Sequence, residues 1–166
     1  MDQPAVCYLL AEIMIGRRLG DVSVKKATEA RTTSEGGRLL HVGSLKRRFG
    51  SVEYSRCESP PALVVRASGW IGPPLLLGVL ERLDSMSKET PNGWIYVADV
   101  RRVLAPSMRN LRYLKRIHGV QGLRTYVVVA TGLGRLVLGL ARRLPGGPDD
   151  VVTSVEAALS VGLPRA

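Results

Sequence analysis

Apolar residues recur along this chain at two spacings, every second position and every third or fourth, and the changes between them mark out the elements. Val52-Glu-Tyr-Ser-Arg-Cys57 alternates apolar and polar residues, Glu58-Ser-Pro-Pro61 turns the chain, and Ala62-Leu-Val-Val-Arg-Ala-Ser68 is rich in β-branched residues. Two strands joined this tightly are expected to pair antiparallel. After Gly69-Trp-Ile-Gly72, Pro73 and Pro74 open a helix with Leu76, Val79, Leu80, Leu83 and Met86 at helical spacing, and Ser87 to Gly93 reads as a surface loop. Trp94-Ile-Tyr-Val-Ala-Asp99 is almost continuously apolar, as a strand covered on both faces would be.

The second half repeats this alternation. Pro106 is expected to start a helix facing inward with Met108, Leu111, Leu114 and Ile117 and closing at His118-Gly119. Arg124 to Ala130 reads as a strand, and Thr131-Gly-Leu-Gly134 turns into a helix ending near Leu144. Its core stripe is expected to be Leu133, Leu136, Val137, Leu140 and Leu144, with Arg135 and Arg142 on the solvent side. Val151-Val152 adds a short strand, and Thr153-x-x-Glu156 forms a capping box for a last helix through Ala157, Ala158 and Leu159.

Residues 1–48 differ in character and read as an N-terminal extension, followed by a main domain over residues 49–166. In the extension, Asp2 caps a short helix with Pro4 in its first turn and Val6, Leu9, Leu10, Ile13 and Met14 as its stripe. Asp21 to Gly37 is polar, as a linker is, and Arg38 to Phe49 fits either a strand or a helix. The resulting order, β-β-α-β-α-β-α-β-α, implies an α/β fold: a mostly parallel sheet with an antiparallel first strand and helices packed on it.

Composition narrows the classes. The 166 residues are 45% hydrophobic and 23% charged, with one Phe, two Trp and five Tyr, so the core rests on aliphatic residues. No window approaches the 18 or more apolar residues of a membrane-spanning helix. Cys7 and Cys57 show neither metal nor redox spacing, and the chain reads as a cytoplasmic protein with reduced thiols.

Charge is distributed unevenly. From Val100 to Pro148 there is no Asp or Glu, while Arg101, Arg102, Arg109, Arg112, Lys115, Arg116, Arg124, Arg135, Arg142 and Arg143 fall there, matching the whole net charge of +10. These cations lie within patterns that need a core, so they decorate ordered elements. Nucleic acid ranks third among the expected partners, because neither aromatic platforms nor a helix-turn-helix accompany the charge.

No catalytic constellation can be assembled. Asp99, ending a buried strand, is expected to bond to neighbouring backbone N–H groups, since no second group completes a site around it. Thr131-Gly132-Leu133-Gly134 precedes a helix, where free N–H groups and Arg135 favour an anion, but Val137 stands where a dinucleotide fingerprint needs its third glycine. His118, beside Gly119, is expected to meet carbonyls at a helix end. No metal or cofactor is implied.

Leu63-Val-Val-Arg-Ala-Ser-Gly69, Trp94-Ile-Tyr-Val-Ala-Asp-Val100, Thr125-Tyr-Val-Val-Val-Ala-Thr131 with Leu138-Gly-Leu-Ala-Arg142, and Val152-Thr-Ser-Val-Glu-Ala-Ala-Leu159 come in an order and spacing that resembles the STAS domain. That is the domain of sulfate transporters and anti-sigma factor antagonists, with small bacterial relatives grouped with the CRAL-TRIO lipid-binding fold, and the resemblance covers residues 51–162. It implies a non-enzymatic interaction or regulatory module. Relatives carry a phosphorylated hydroxyl after the strand that ends in Asp99, but here Leu104 and Ala105 occupy that stretch, so the phosphate switch is not carried over, and Ser107 reads as structural. The expected partner is an acidic protein or a second copy; the alternative is a phosphate or acidic lipid ligand. The expected surface is Asp99, Arg101, Arg102, Ser107, Arg109, Arg112, Thr131, Gly132, Gly134 and Arg135. Arg101, Arg109 and Arg112 are expected to be replaceable together by Ser without loss of folding.

Overall fold

The computed structural model describes residues 30–31, 38–104, 116–143 and 147–161. Seven strands form one sheet in which spatial order follows sequence order: β1 (Ala30–Arg31), β2 (Leu39–Arg47), β3 (Gly50–Glu58), β4 (Pro61–Gly69), β5 (Trp94–Val103), β6 (Leu123–Val129) and β7 (Asp150–Val152). Pairing is antiparallel from β1 to β4 and parallel from β4 to β7. The tight pair expected over residues 52–68 is β3–β4, in register from Gly50↔Gly69 to Glu58↔Pro61.

The antiparallel half is larger than a single first strand. Only Arg48 and Phe49 separate β2 from β3, and so short a connection lets the strands meet only as a hairpin. Arg38 to Phe49 thus supplies a strand, and the sheet runs without a break across residues 48 and 49. The expected extension helix over residues 2–16 lies outside the described residues, as does the helix start at Pro106.

Helices α1 (Pro73–Glu89), α2 (Gly132–Ala141) and α3 (Val155–Val161) complete the described elements, with helical backbone also at Arg116 and Ile117. One face of the sheet presents Val52, Tyr54, Leu63, Val65, Tyr96, Ala98, Tyr126 and Val128 to Leu75, Val79, Leu80, Leu83 and Met86 of α1 and to Ile117. The other presents Cys57, Ala62, Val64, Ile95, Val97, Val127 and Val129 to Val155, Ala158 and Leu159 of α3. Alternation along each strand produces both layers. β5, near the middle, is buried from Trp94 through Asp99, as its continuous apolar run implied.

Three local expectations shift. Leu75, with Leu76 only half-buried, starts the buried ridge of α1. The helix also runs on through Ser87 to Glu89 before any loop, because Glu89 is held by Ser85 Oγ at 3.0 Å and ion-paired to Arg56 at 2.5 Å. In α3 the cap is Ser154, not Thr153: its Oγ accepts the Ala157 N–H at 3.1 Å, and Glu156 falls in the first turn, where it favours the helix dipole.

The largest departure is α2. Leu133, Leu136, Val137 and Leu140 do share one side, but that side faces outward, each residue between 53% and 76% exposed. Leu138, on the opposite side, is the residue of α2 that packs against the core. The reason lies beneath the helix: α2 rests by β7, an edge strand of three residues that contributes Val151 alone to that layer. The predicted segment reached to Leu144, which lies outside the described residues; the helix itself ends at Ala141, and Arg142 pins that end to β7 through Asp150 at 2.9 Å.

Candidate functional site

Asp99 sits in the middle of the sheet, between Arg66 on β4 and Val129 on β6. Beyond it β5 bulges: Arg66 faces Asp99 but Ser68 faces Arg102, so the extra residue folds Arg101 back onto the carboxylate. Arg101 donates from its backbone N at 3.2 Å and Nε at 2.9 Å to Oδ1, and from its other guanidinium nitrogen at 2.8 Å to Oδ2. Burial pushes the Asp99 carboxyl up, but these hydrogen bonds, with the charges of Arg101 and Arg66, outweigh it and hold the group below the usual carboxylate range. A carboxylate so occupied is a structural anion and not a base poised near neutral pH. The expected use of backbone N–H groups is met in part, by that of Arg101, while most of the bonding comes from its guanidinium.

Thr131 follows Val129 at the carboxyl end of β6, beside the end of β5, so the loop entering α2 opens near Asp99 and Arg102. Thr131 makes no side-chain cap to α2, Gly132 adopts a left-handed φ of +55°, and Gly134 and Arg135 are exposed. Arg102 is exposed as well. The structure therefore brings Asp99, Arg101, Arg102, Thr131, Gly132, Gly134 and Arg135 to one end of the parallel strands, with Asp99 and Arg101 paired to each other. Ser107, Arg109 and Arg112 lie outside the described residues.

His118 does meet a carbonyl, but across the fold: its Nε2 lies 2.6 Å from the oxygen of Gly147, and its ring stands edge-on to Tyr126. Tyr126 in turn stacks on Tyr96 with ring centres 5.0 Å apart, and burial pushes both phenols up and keeps them neutral. Among the described residues no three His, Cys, Asp or Glu side chains gather to hold a metal ion. An open groove lined by Leu80, Asp84, Arg116, Gly119 and Val120 places one acid and one base at a mainly apolar rim.

Two exposed apolar surfaces went unrecognised in the sequence. One is the outer side of α2. The other lies at the tip of the sheet, where Phe49, Trp70 and Leu104 are 68%, 45% and 80% exposed. The Trp70 N–H donates to Phe49 O at 2.8 Å and the Leu104 N–H to Gly69 O at 3.0 Å, so three separate segments converge. A usable signal was present for two of them: Phe49 lies between Arg48 and Gly50 and Trp70 follows Gly69, where an ordinary turn is polar. No protein-family model matches the chain, and no curated protein matches it.

Proposed function

We propose that this chain is a non-enzymatic interaction module of STAS-like fold, and that it takes its protein partner on the outer side of α2. The exposed row of Leu133, Leu136, Val137 and Leu140 carries this reading. Four aliphatic side chains at helical spacing form the kind of surface that a groove on another protein, or a second copy of the same helix, covers. Arg135 and Arg143, exposed nearby, favour acidic groups at the rim of that groove, as does the net charge of +10. The parallel half of the sheet, β4 to β7, with α1 and α2 as crossovers, and the antiparallel β3 ahead of it support the STAS-like reading, and β1 and β2 depart from it. Asp99, bound by Arg101, offers no catalytic alternative.

A photo-crosslinking residue at position 136 of the full chain tests the proposal in cells that make the protein. The expected result is a discrete adduct, with a second copy or with one acidic protein, absent when the same group is placed at exposed Glu81 on α1. Absence of an adduct at 136, or the same diffuse pattern from both positions, would refute the assignment.

A further inference from the structure

The tip of the sheet carries a second function, independent of α2. We infer that Phe49, Trp70 and Leu104 form a docking surface for an anionic lipid bilayer, with the cations around them engaging the head groups.

The surface is built rather than incidental. Phe49 lies in the β2–β3 turn, Trp70 follows β4, and Leu104 follows β5, yet hydrogen bonds hold their backbones together. The closeness depends on two glycines. A Cβ at Gly50 would lie 2.2 Å from Trp70 O, and one at Gly69, whose φ is +75°, would lie 2.3 Å from Phe49 O. The chain therefore spends two glycines on bringing these segments together, and the large apolar side chains they carry stay in solvent.

Among the described residues, the segments that form the tip carry charge of one sign. Lys46-Arg47-Arg48-Phe49-Gly50-Ser51, Ser68-Gly69-Trp70-Ile71-Gly72 and Arg102-Val103-Leu104 contain no acidic residue. Register places Lys46 and Arg47 opposite Ser51 and Gly50, and Arg102 opposite Ser68, so these cations flank the apolar residues. Arg48 stands over the Phe49 ring, its guanidinium carbon 5.0 Å from the ring centre, at the edge of the patch.

A projecting cluster of this composition matches a lipid interface better than it matches a protein groove. Trp favours the boundary between head groups and acyl chains, Phe and Leu enter the apolar layer, and basic residues gain from anionic head groups. The three apolar residues come from turns and strand ends, so they can enter a bilayer surface without any helix crossing it; no described helix is long and apolar enough to cross one.

Tryptophan fluorescence tests this directly in the full chain. Trp94 is 1% exposed and its signal stays fixed, so Trp70 reports the environment of the tip. Vesicles of equal parts phosphatidylglycerol and phosphatidylcholine are expected to shift the emission to the blue and sediment the protein, while vesicles of phosphatidylcholine alone do neither. Phe49→Ser with Leu104→Ser should lower partitioning by roughly ten-fold or more with unchanged circular dichroism, because both side chains are exposed in solution. Arg48→Glu and Arg102→Glu should each weaken it by about five-fold or more. Trp70→Phe should bind but lose the spectral shift. Leu136→Ser on α2 should leave vesicle binding unchanged, which separates a failure here from a failure of the protein-partner reading. Lack of binding to anionic vesicles, or binding that survives the Phe49/Leu104 double change, or loss caused by Leu136→Ser, would each overturn the inference.

Discussion

β5 and α2 both carry apolar residues that read as core in the sequence, and they end in opposite surroundings. From Trp94 to Asp99 every residue of β5 is buried, because a parallel strand on each side and a helical layer on each face close around it. In α2, four aliphatic residues stand in solvent, because the helix lies by a three-residue edge strand with little to cover it. Periodicity tells which residues share a side; what lies against that side is decided by neighbours far along the chain. Among the described residues nothing covers the apolar stripe of α2, and the proposed protein partner is what would cover it.

The sharpest way to break the comparison is to place the same charge in each element. Val97→Asp, in the middle of β5, is expected to abolish folding, since a fully buried carboxylate without a partner is strongly unfavourable. Circular dichroism of the purified variant checks it, and a folded Val97→Asp protein would remove the argument for two-sided coverage. Leu83→Ala, in the α1 layer, should lower unfolding free energy in urea by about 2–5 kcal/mol, as fully buried leucines do.

Asp99→Asn tests the polar end of β5 and should cost about 1.5–3 kcal/mol, the range for hydrogen bonds to a charged group. The pH dependence has a definite sign. Because the folded state holds the Asp99 carboxyl below its ordinary value, its contribution is complete above about pH 4 and disappears as pH falls through the folded-state pKa. Acid unfolding of the wild type should include this step, and Asp99→Asn should lack it. The smallest effect belongs to α2: Leu136→Ser should change unfolding free energy by no more than about 0.5 kcal/mol while removing the crosslink proposed for that surface. A loss of several kcal/mol would mean that α2 is covered from within the chain.

Much of the scaffold was legible in the residues. Alternation over residues 52–57, the β-branched run over 62–68 and helical spacing over 76–86 are enforced locally, and the apolar run at 94–99 reads as a strand with two covers. What escaped was relational. Arg38 to Phe49 has no decisive period, and it becomes a strand because β3 stands two residues away. In sequence Arg101 reads as replaceable alongside Arg109 and Arg112, whereas it supplies most of the partners of a buried carboxylate through a bulge that no spacing rule announces. Arg101→Ser is accordingly expected to destabilise the fold. The tip surface is not visible in the sequence because Phe49, Trp70 and Leu104 are far apart along the chain and are brought together by backbone hydrogen bonds from Trp70 to Phe49 and from Leu104 to Gly69.

The matching of spatial and sequential strand order also governs how the protein is made. Each strand from β2 onward has its neighbour on the N-terminal side already outside the ribosome when it emerges, so the sheet can grow by accretion at one edge without waiting for a distant segment. The hairpins of β2, β3 and β4 come first and form a template on which the parallel strands are laid in turn. β7, three residues long and last to arrive, ends the sheet with a short edge. During synthesis the edge that receives the next strand is always the one laid down last.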